Sequence, residues 1–243
     1  MTRLLVSVRN LQEAQMALAA GVDLLDVKEP LHGALGAAAP ATITAIARLA
    51  SGNVPTSAAL GELTDFDCHS GAAGLGVDYA KLGLAGCNDL ANWAELWHSA
   101  WQSLSPRCGR IAVAYADHQS ARAPAPLEVL EQADLAGCAG LLVDTFDKRG
   151  GSVFTHCSEA DLREWCAQAQ QADMLFVLAG GLQGSEIQRA CQVGPDYIGV
   201  RGAVCRGDRQ QSIDAELITA LVEALHTHPP ATQRARGLEA PTS

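Results

Sequence analysis

Short apolar runs alternate along this chain with stretches whose apolar positions recur at helical spacing. The runs fall at 4–8, 24–28, 56–60, 78–83, 111–115, 141–144, 174–178 and 197–200. Each reads as a strand buried on both faces. Between them, helical periodicity covers 11–20, 40–50, 126–136, 185–193 and 213–226, with a short Ala- and Gly-rich helix expected at 67–76. Gly21 supplies a helix stop. A further helix is expected from Asn88, with Trp93, Trp97 and Trp101 spaced as a core-facing stripe. Ser158 caps another through Ala172, with Asp161 at its third helical position.

Eight strands alternating with eight helices at a spacing of roughly 25 to 30 residues predict a (β/α)8 barrel, the TIM type. A doubly wound open sheet competes, but its Gly-x-Gly-x-x-Gly turn is missing after the first strand. The barrel domain is expected over 1–228, followed by a disordered tail at 229–243 rich in Pro, Thr, Gln and Arg.

Composition narrows the function classes. A formal net charge of -10 without a basic patch argues against nucleic acid. No apolar run approaches the ~20 residues that cross a bilayer, and the N-terminus lacks a signal-peptide layout, so a cytoplasmic protein is expected. The eight cysteines are scattered, with no Cys-x-x-Cys pair. They read as buried thiols, and no metal is expected. The basic residues are more informative. Of 17 Lys plus Arg, only three are lysines: Lys28, Lys81 and Lys148. Arginine cannot be neutralised, so amine chemistry would have to use these three.

In this barrel type chemistry sits at the C-terminal ends of the strands. Asp26 and Lys28 end the second strand on one face, Lys81 ends the fourth, Asp117, an expected substrate or phosphate contact, the fifth and Asp144 the sixth, with Lys148 just beyond. Amines gathered at one mouth disfavour one another's protonation. A neutral amine forms Schiff bases, and a second can be a general base. A structural ion pair at Asp26 and Lys28 is the plainer alternative. The loops after strands seven and eight often bind phosphate in such barrels. Here they carry Gly180-Gly181 and Arg201-Gly202, with Arg201 as the expected clamp. His32, in the loop after Lys28, is a candidate substrate contact; Glu29 and Glu62 are similarly placed. The implied substrate is a small phosphorylated aldehyde or ketone, taken without metal or organic cofactor.

Several segments resemble a known family. They include Asp26-Val-Lys28-Glu-Pro-Leu-His-Gly-Ala-Leu-Gly36, Tyr79-Ala-Lys-Leu-Gly-Leu84, Ala114-Tyr-Ala-Asp117, Leu142-Val-Asp-Thr145, Leu178-Ala-Gly180 and Ile198-Gly-Val-Arg-Gly-Ala-Val-Cys205. In order over about residues 2 to 226, they resemble (5-formylfuran-3-yl)methyl phosphate synthase, the first enzyme of the furan branch of methanofuran biosynthesis. The stretch between strands four and six, rich in Trp and Cys, departs from archaeal members. The resemblance implies condensation of two molecules of glyceraldehyde 3-phosphate, with loss of phosphate and water. It assigns the Schiff base to Lys28 and proton acceptance to Lys81, and makes Asp26, Asp144 and Lys148 their partners. Two rivals share the residues: an aldolase of the Schiff-base type acting on another small phosphorylated carbonyl, and a non-catalytic phosphate-ligand sensor. A homo-oligomer is compatible with either.

Overall fold

A computed structural model describes residues 1–66 and 74–227. The tail from 229 and most of the helix expected at 67–76 lie outside the described residues. Eight parallel strands close into a barrel in chain order. They are β1 (Arg3–Val8), β2 (Leu24–Val27), β3 (Thr56–Glu62), β4 (Tyr79–Gly83), β5 (Gly109–Tyr115), β6 (Gly140–Asp144), β7 (Leu175–Leu178) and β8 (Tyr197–Val200). Closure comes from β8 pairing with β1, Arg3 opposite Tyr197 and Val6 opposite Val200. The doubly wound alternative is thereby excluded.

Nine α-helices lie among the described residues: α1 (Leu11–Ala19), α2 (Pro40–Ala50), α3 (Trp93–Trp101), α4 (His118–Ala121), α5 (Pro126–Leu135), α6 (Val153–His156), α7 (Glu159–Gln171), α8 (Ser185–Cys191) and α9 (Ala215–Thr227). The short α4 and α6 are additions to the expected set. None of the described helices is long and apolar enough to cross a membrane.

Local chemistry sets the helix boundaries. Gly21 follows α1 at φ +83°, where a side chain would be strained. Ser158 and Asp161 form a reciprocal capping box at α7. Two starts differ from expectation. The Asp214 carboxylate accepts from the amides of Glu216 (3.0 Å) and Leu217 (3.2 Å). It therefore caps α9 and leaves Ile213 to bridge to Cys205. Cys87–Asp89 forms a separate 3-10 turn, with the Asn88 amide bonded to the Arg122 carbonyl, so α3 begins only at Trp93.

Two apolar layers result. The larger lies between strands and helices and includes Trp93, Trp97 and Trp101. Trp97 and Trp101 pack edge to face with centroids 5.6 Å apart. The smaller fills the barrel, with Leu5, Leu24, Ile111, Leu142, Val177 and Tyr197. It seals the barrel beneath the polar side chains at its C-terminal end. Trp97 is fully buried, so Trp97→Ala should destabilise the protein by about 3 to 5 kcal/mol in denaturant titrations, the range for emptying a large aromatic site.

Candidate functional site

The C-terminal mouth opens into a cavity of about 850 Å³ whose lining includes Ser7, Asp26, Lys28, Lys81, Asp144 and Lys148. All three lysines thus meet in one place, as their strand-end positions predict. The deepest polar group is the Asp26 carboxylate on β2. Register puts Asp26 beside Ser7 on β1 and Ser57 on β3. The Ser7 hydroxyl donates to Oδ2 (2.9 Å) and the Ser57 hydroxyl to Oδ1 (2.8 Å). Lys81 Nζ, from β4, donates to the same Oδ1. Burial alone would raise the Asp26 pKa. The charges of Lys81 and Lys28, with the hydrogen bonds from Lys81 and Ser57, outweigh it and hold the carboxyl below its ordinary value. Asp26 is a buried anion, and its ion-pair partner is Lys81, not Lys28.

Lys28 stands two residues beyond Asp26, just past the end of β2, and also lines the cavity. Among the described residues no hydrogen bond or ion pair holds its amine, and it is 9% exposed. Burial, the main cause, pulls its pKa down from 10.5 to about 8. Asp144 and Asp26 oppose the fall, while Lys148 and Lys81 add to it. Mutual repulsion among the amines, the cause expected from sequence, is therefore the smaller contribution, and desolvation is the larger.

Lys148 is held at the end of the sequence Asp144-Thr-Phe-Asp-Lys148. Its amine donates to Asp144 Oδ1 and to the Thr145 carbonyl and hydroxyl. Burial lowers its pKa too, against the pull of Asp144. Asp144 also accepts from the Thr145 amide (2.8 Å). Asp117 has a different task from the substrate or phosphate contact expected of it. Its two carboxylate oxygens accept from the amides of Phe146 (2.7 Å) and Asp147 (2.8 Å). It ties down the loop that carries Lys148, and it is not among the residues lining the cavity. An anion with both oxygens so engaged has no reason to face a phosphate.

The glycine loops do line the cavity: Gly180 and Gly181 on one side, Gly202 on the other. Gly180 and Gly181 have φ of +96° and +66°, and a Cβ at Gly181 would crowd the Gly151 carbonyl at 3.1 Å. The expected phosphate clamp, Arg201, is a correction. All five of its N–H donors are spent inside the protein: Nε on the Arg209 carbonyl (2.6 Å), Nη1 on the Ser7 carbonyl and Glu13 Oε2 (both 2.9 Å), and Nη2 on Glu13 Oε1 (3.2 Å) and the Gln211 carbonyl (2.9 Å). Buried and bidentate to Glu13 of α1, Arg201 is a strut between α1, β1 and the loop after β8.

Sequence reasoning missed Ser7, Ser57 and Tyr115 and placed Glu62, His32 and Glu29 only by their loops. Ser7 on β1 and Ser57 on β3 carry no charge, and only strand register brings their hydroxyls to Asp26. The Glu62 carboxylate accepts from the Tyr115 hydroxyl (2.6 Å) and the Ala85 amide (2.8 Å). Burial raises the pKa of both side chains. Gly83 makes room for this pair, since a Cβ there would collide with both. His32 is exposed and does not line the cavity. The Glu29 carboxylate accepts from the Leu31 amide (3.0 Å) and so shapes the β2 loop.

The Lys28 shift has a signed consequence. The unfolded chain binds a proton to this amine up to about 10.5, the folded chain only to about 8. The buried charge therefore costs stability in full below pH 8, about 3 kcal/mol at 1.36 kcal/mol per pKa unit, and the cost shrinks as pH rises towards 10.5. Lys28→Met should raise the thermal midpoint at pH 7, and the gap from wild type should narrow between pH 8 and 10.5 in differential scanning calorimetry.

Comparison with known proteins agrees with this architecture. A family profile described as 4-HFC-P synthase matches residues 4–222. A relative named (5-formylfuran-3-yl)methyl phosphate synthase from Methanosarcina mazei is 36% identical over 231 residues, 90% of this chain and 97% of that one. One of the same name from Methanocaldococcus jannaschii is 35% identical, over 90% of this chain and 98% of that one. Among solved structures, phosphoribosyl anthranilate isomerase from Thermus thermophilus superposes with a TM-score of 0.62 at 17% identity, covering 93% of this chain and 99% of that chain, a likeness of fold. With a match that spans the barrel and relatives alike over nearly their whole length, this chain belongs to the 4-HFC-P synthase family.

Proposed function

We propose that this protein is a (5-formylfuran-3-yl)methyl phosphate synthase that joins two molecules of glyceraldehyde 3-phosphate through an imine on Lys28. The observation that carries the proposal is Lys28 itself: a desolvated amine with pKa about 8, free of partners among the described residues, at the wall of the cavity of about 850 Å³. The relatives' printed activity supplies the product. Two triose phosphates contain that furan aldehyde phosphate plus one phosphate and two waters, so the condensation balances without an oxidant.

The steps follow from the protonation states. Neutral Lys28 adds to a triose phosphate carbonyl. Lys81, ion-paired with Asp26, hands a proton to the carbinolamine oxygen, and water leaves. The resulting iminium acidifies the adjacent C–H, and Lys81, now neutral, takes that proton. Lys81 thus keeps its role as proton acceptor but donates first. Asp26 stays ionised throughout and stabilises the returning ammonium. The enamine attacks the second aldehyde. Elimination of phosphate, ring closure, dehydration and hydrolysis of the imine, which frees Lys28, give the aromatic furan, with Lys148 and Asp144 placed to move protons at the opposite wall. The imine is the electron sink, so these steps call on the chain's own residues alone.

Borohydride added with glyceraldehyde 3-phosphate should raise the protein mass by one reduced adduct on Lys28. An unchanged mass would favour the sensor. Lys28→Arg should reduce furan formation, followed by its ultraviolet band, by at least about a thousandfold, since guanidinium forms no imine at neutral pH. The trapping rate should climb with pH and level off above about 8, where Lys28 is neutral.

A further inference from the structure

Six cationic side chains line the cavity: Lys28, Lys81, Lys148, Arg149, Arg201 and Arg209. Four of them are already committed. Lys81 is paired with Asp26, Lys148 with Asp144, Arg149 with Asp147 and Arg201 with Glu13. Of these six, only Lys28 and the guanidinium of Arg209 carry no hydrogen bond or ion pair to another described residue. Lys28 is taken by the carbonyl chemistry. Arg149 gives Asp147 only its Nε and is 93% exposed, so Arg209 is the half-buried guanidinium in the lining that no described partner holds.

We propose that Arg209 is the phosphate-binding residue of this cavity. Its place is built rather than accidental. The segment 205–213 returns on itself through the bridge between Cys205 and Ile213. Arg201 grips it from below by the carbonyls of Arg209 and Gln211, and the half-buried Arg209 side chain packs along Gly202, whose built Cβ would lie 3.7 Å from Arg209 Cβ. A phosphate between Gly181 and Gly202 would meet backbone on two sides and the guanidinium fork on the third. The acids nearby are turned to other work. The Glu186 carboxylate accepts from the Ser152 hydroxyl and the Gln183 amide, and Asp208 from the Gln210 amide (2.8 Å). The electrostatic field agrees with the geometry: burial lowers the Arg209 pKa, with Asp144 opposing, so its charge is partly stripped of water and short of a counter-ion.

The assignment deepens the triose phosphate reading and rests on it for the substrate, but its test does not require turnover. Binding of inorganic phosphate is measured by calorimetry on the full chain. Arg209→Ala should raise the phosphate Kd roughly tenfold or more, as expected for losing a charge-assisted fork, and Arg209→Lys should fall between. Arg206→Ala, on the same loop but exposed and paired with Asp214 and Glu216, should bind phosphate as wild type does. Equal affinity in Arg209→Ala, or an equal loss in Arg206→Ala, would overturn the proposal. Borohydride trapping separates the two readings. A wild-type protein that binds phosphate through Arg209 yet yields no Lys28 adduct supports Arg209 and defeats the imine; one that yields the adduct while Arg209→Ala binds phosphate normally does the reverse.

Discussion

An ionised carboxylate at the axis of a closed barrel is the constraint on which the rest of this structure depends. Asp26 is almost wholly removed from water, and an unpaired charge there would not be tolerated. It is tolerated because the first four strands each contribute. β2 carries it, the hydroxyls of Ser7 on β1 and Ser57 on β3 donate to it, and the ammonium of Lys81 on β4 neutralises it. Truncating any donor would leave the others around an under-satisfied anion. The network therefore fixes the register of half the barrel and the position of the Lys81 side chain.

Against that fixed pair, the two other lysines differ by what holds them. Lys148 is bound by Asp144 and Thr145, on a loop that Asp117 anchors. Lys28 has carboxylates on either side but a hydrogen bond to neither, so burial dominates its titration. Three chemically identical side chains thus reach one cavity in different states: a paired ammonium buried in the sheet, a tethered one on a loop, and a free amine near neutrality. Differentiation of that sort is how one residue type can supply a nucleophile and an acid–base partner together.

How far the chain could be read on its own follows from the range of the interactions. Strands of Leu, Val and Ala bounded by glycine, and helices closed by Gly21 or opened by Ser158, are local and were legible. So was the gathering of Asp26, Lys28, Lys81 and Asp144 at one mouth, because strand-end position suffices for it. Pairing was not legible. Residues i and i+2 of one strand lie about 6.6 Å apart, so Asp26 and Lys28 share a face without touching, while Ser57 and Lys81 are brought to Asp26 across the sheet by register and tilt. Arg201 shows the same limit. Its inward position after β8 was readable, but the Glu13 that claims it is 188 residues away in sequence. Arg209 lies in a loop without periodicity, and only the fold turns it toward the cavity.

Barrel closure also has a consequence in time. β1 has its β8 partner only after residue 200 has been made, and the strut on Ser7 and Glu13 arrives with Arg201. During vectorial synthesis Lys28 emerges early, yet the enclosure that strips its water comes last. Until then it is an ordinary hydrated ammonium, and its lowered basicity arises only with the completed ring.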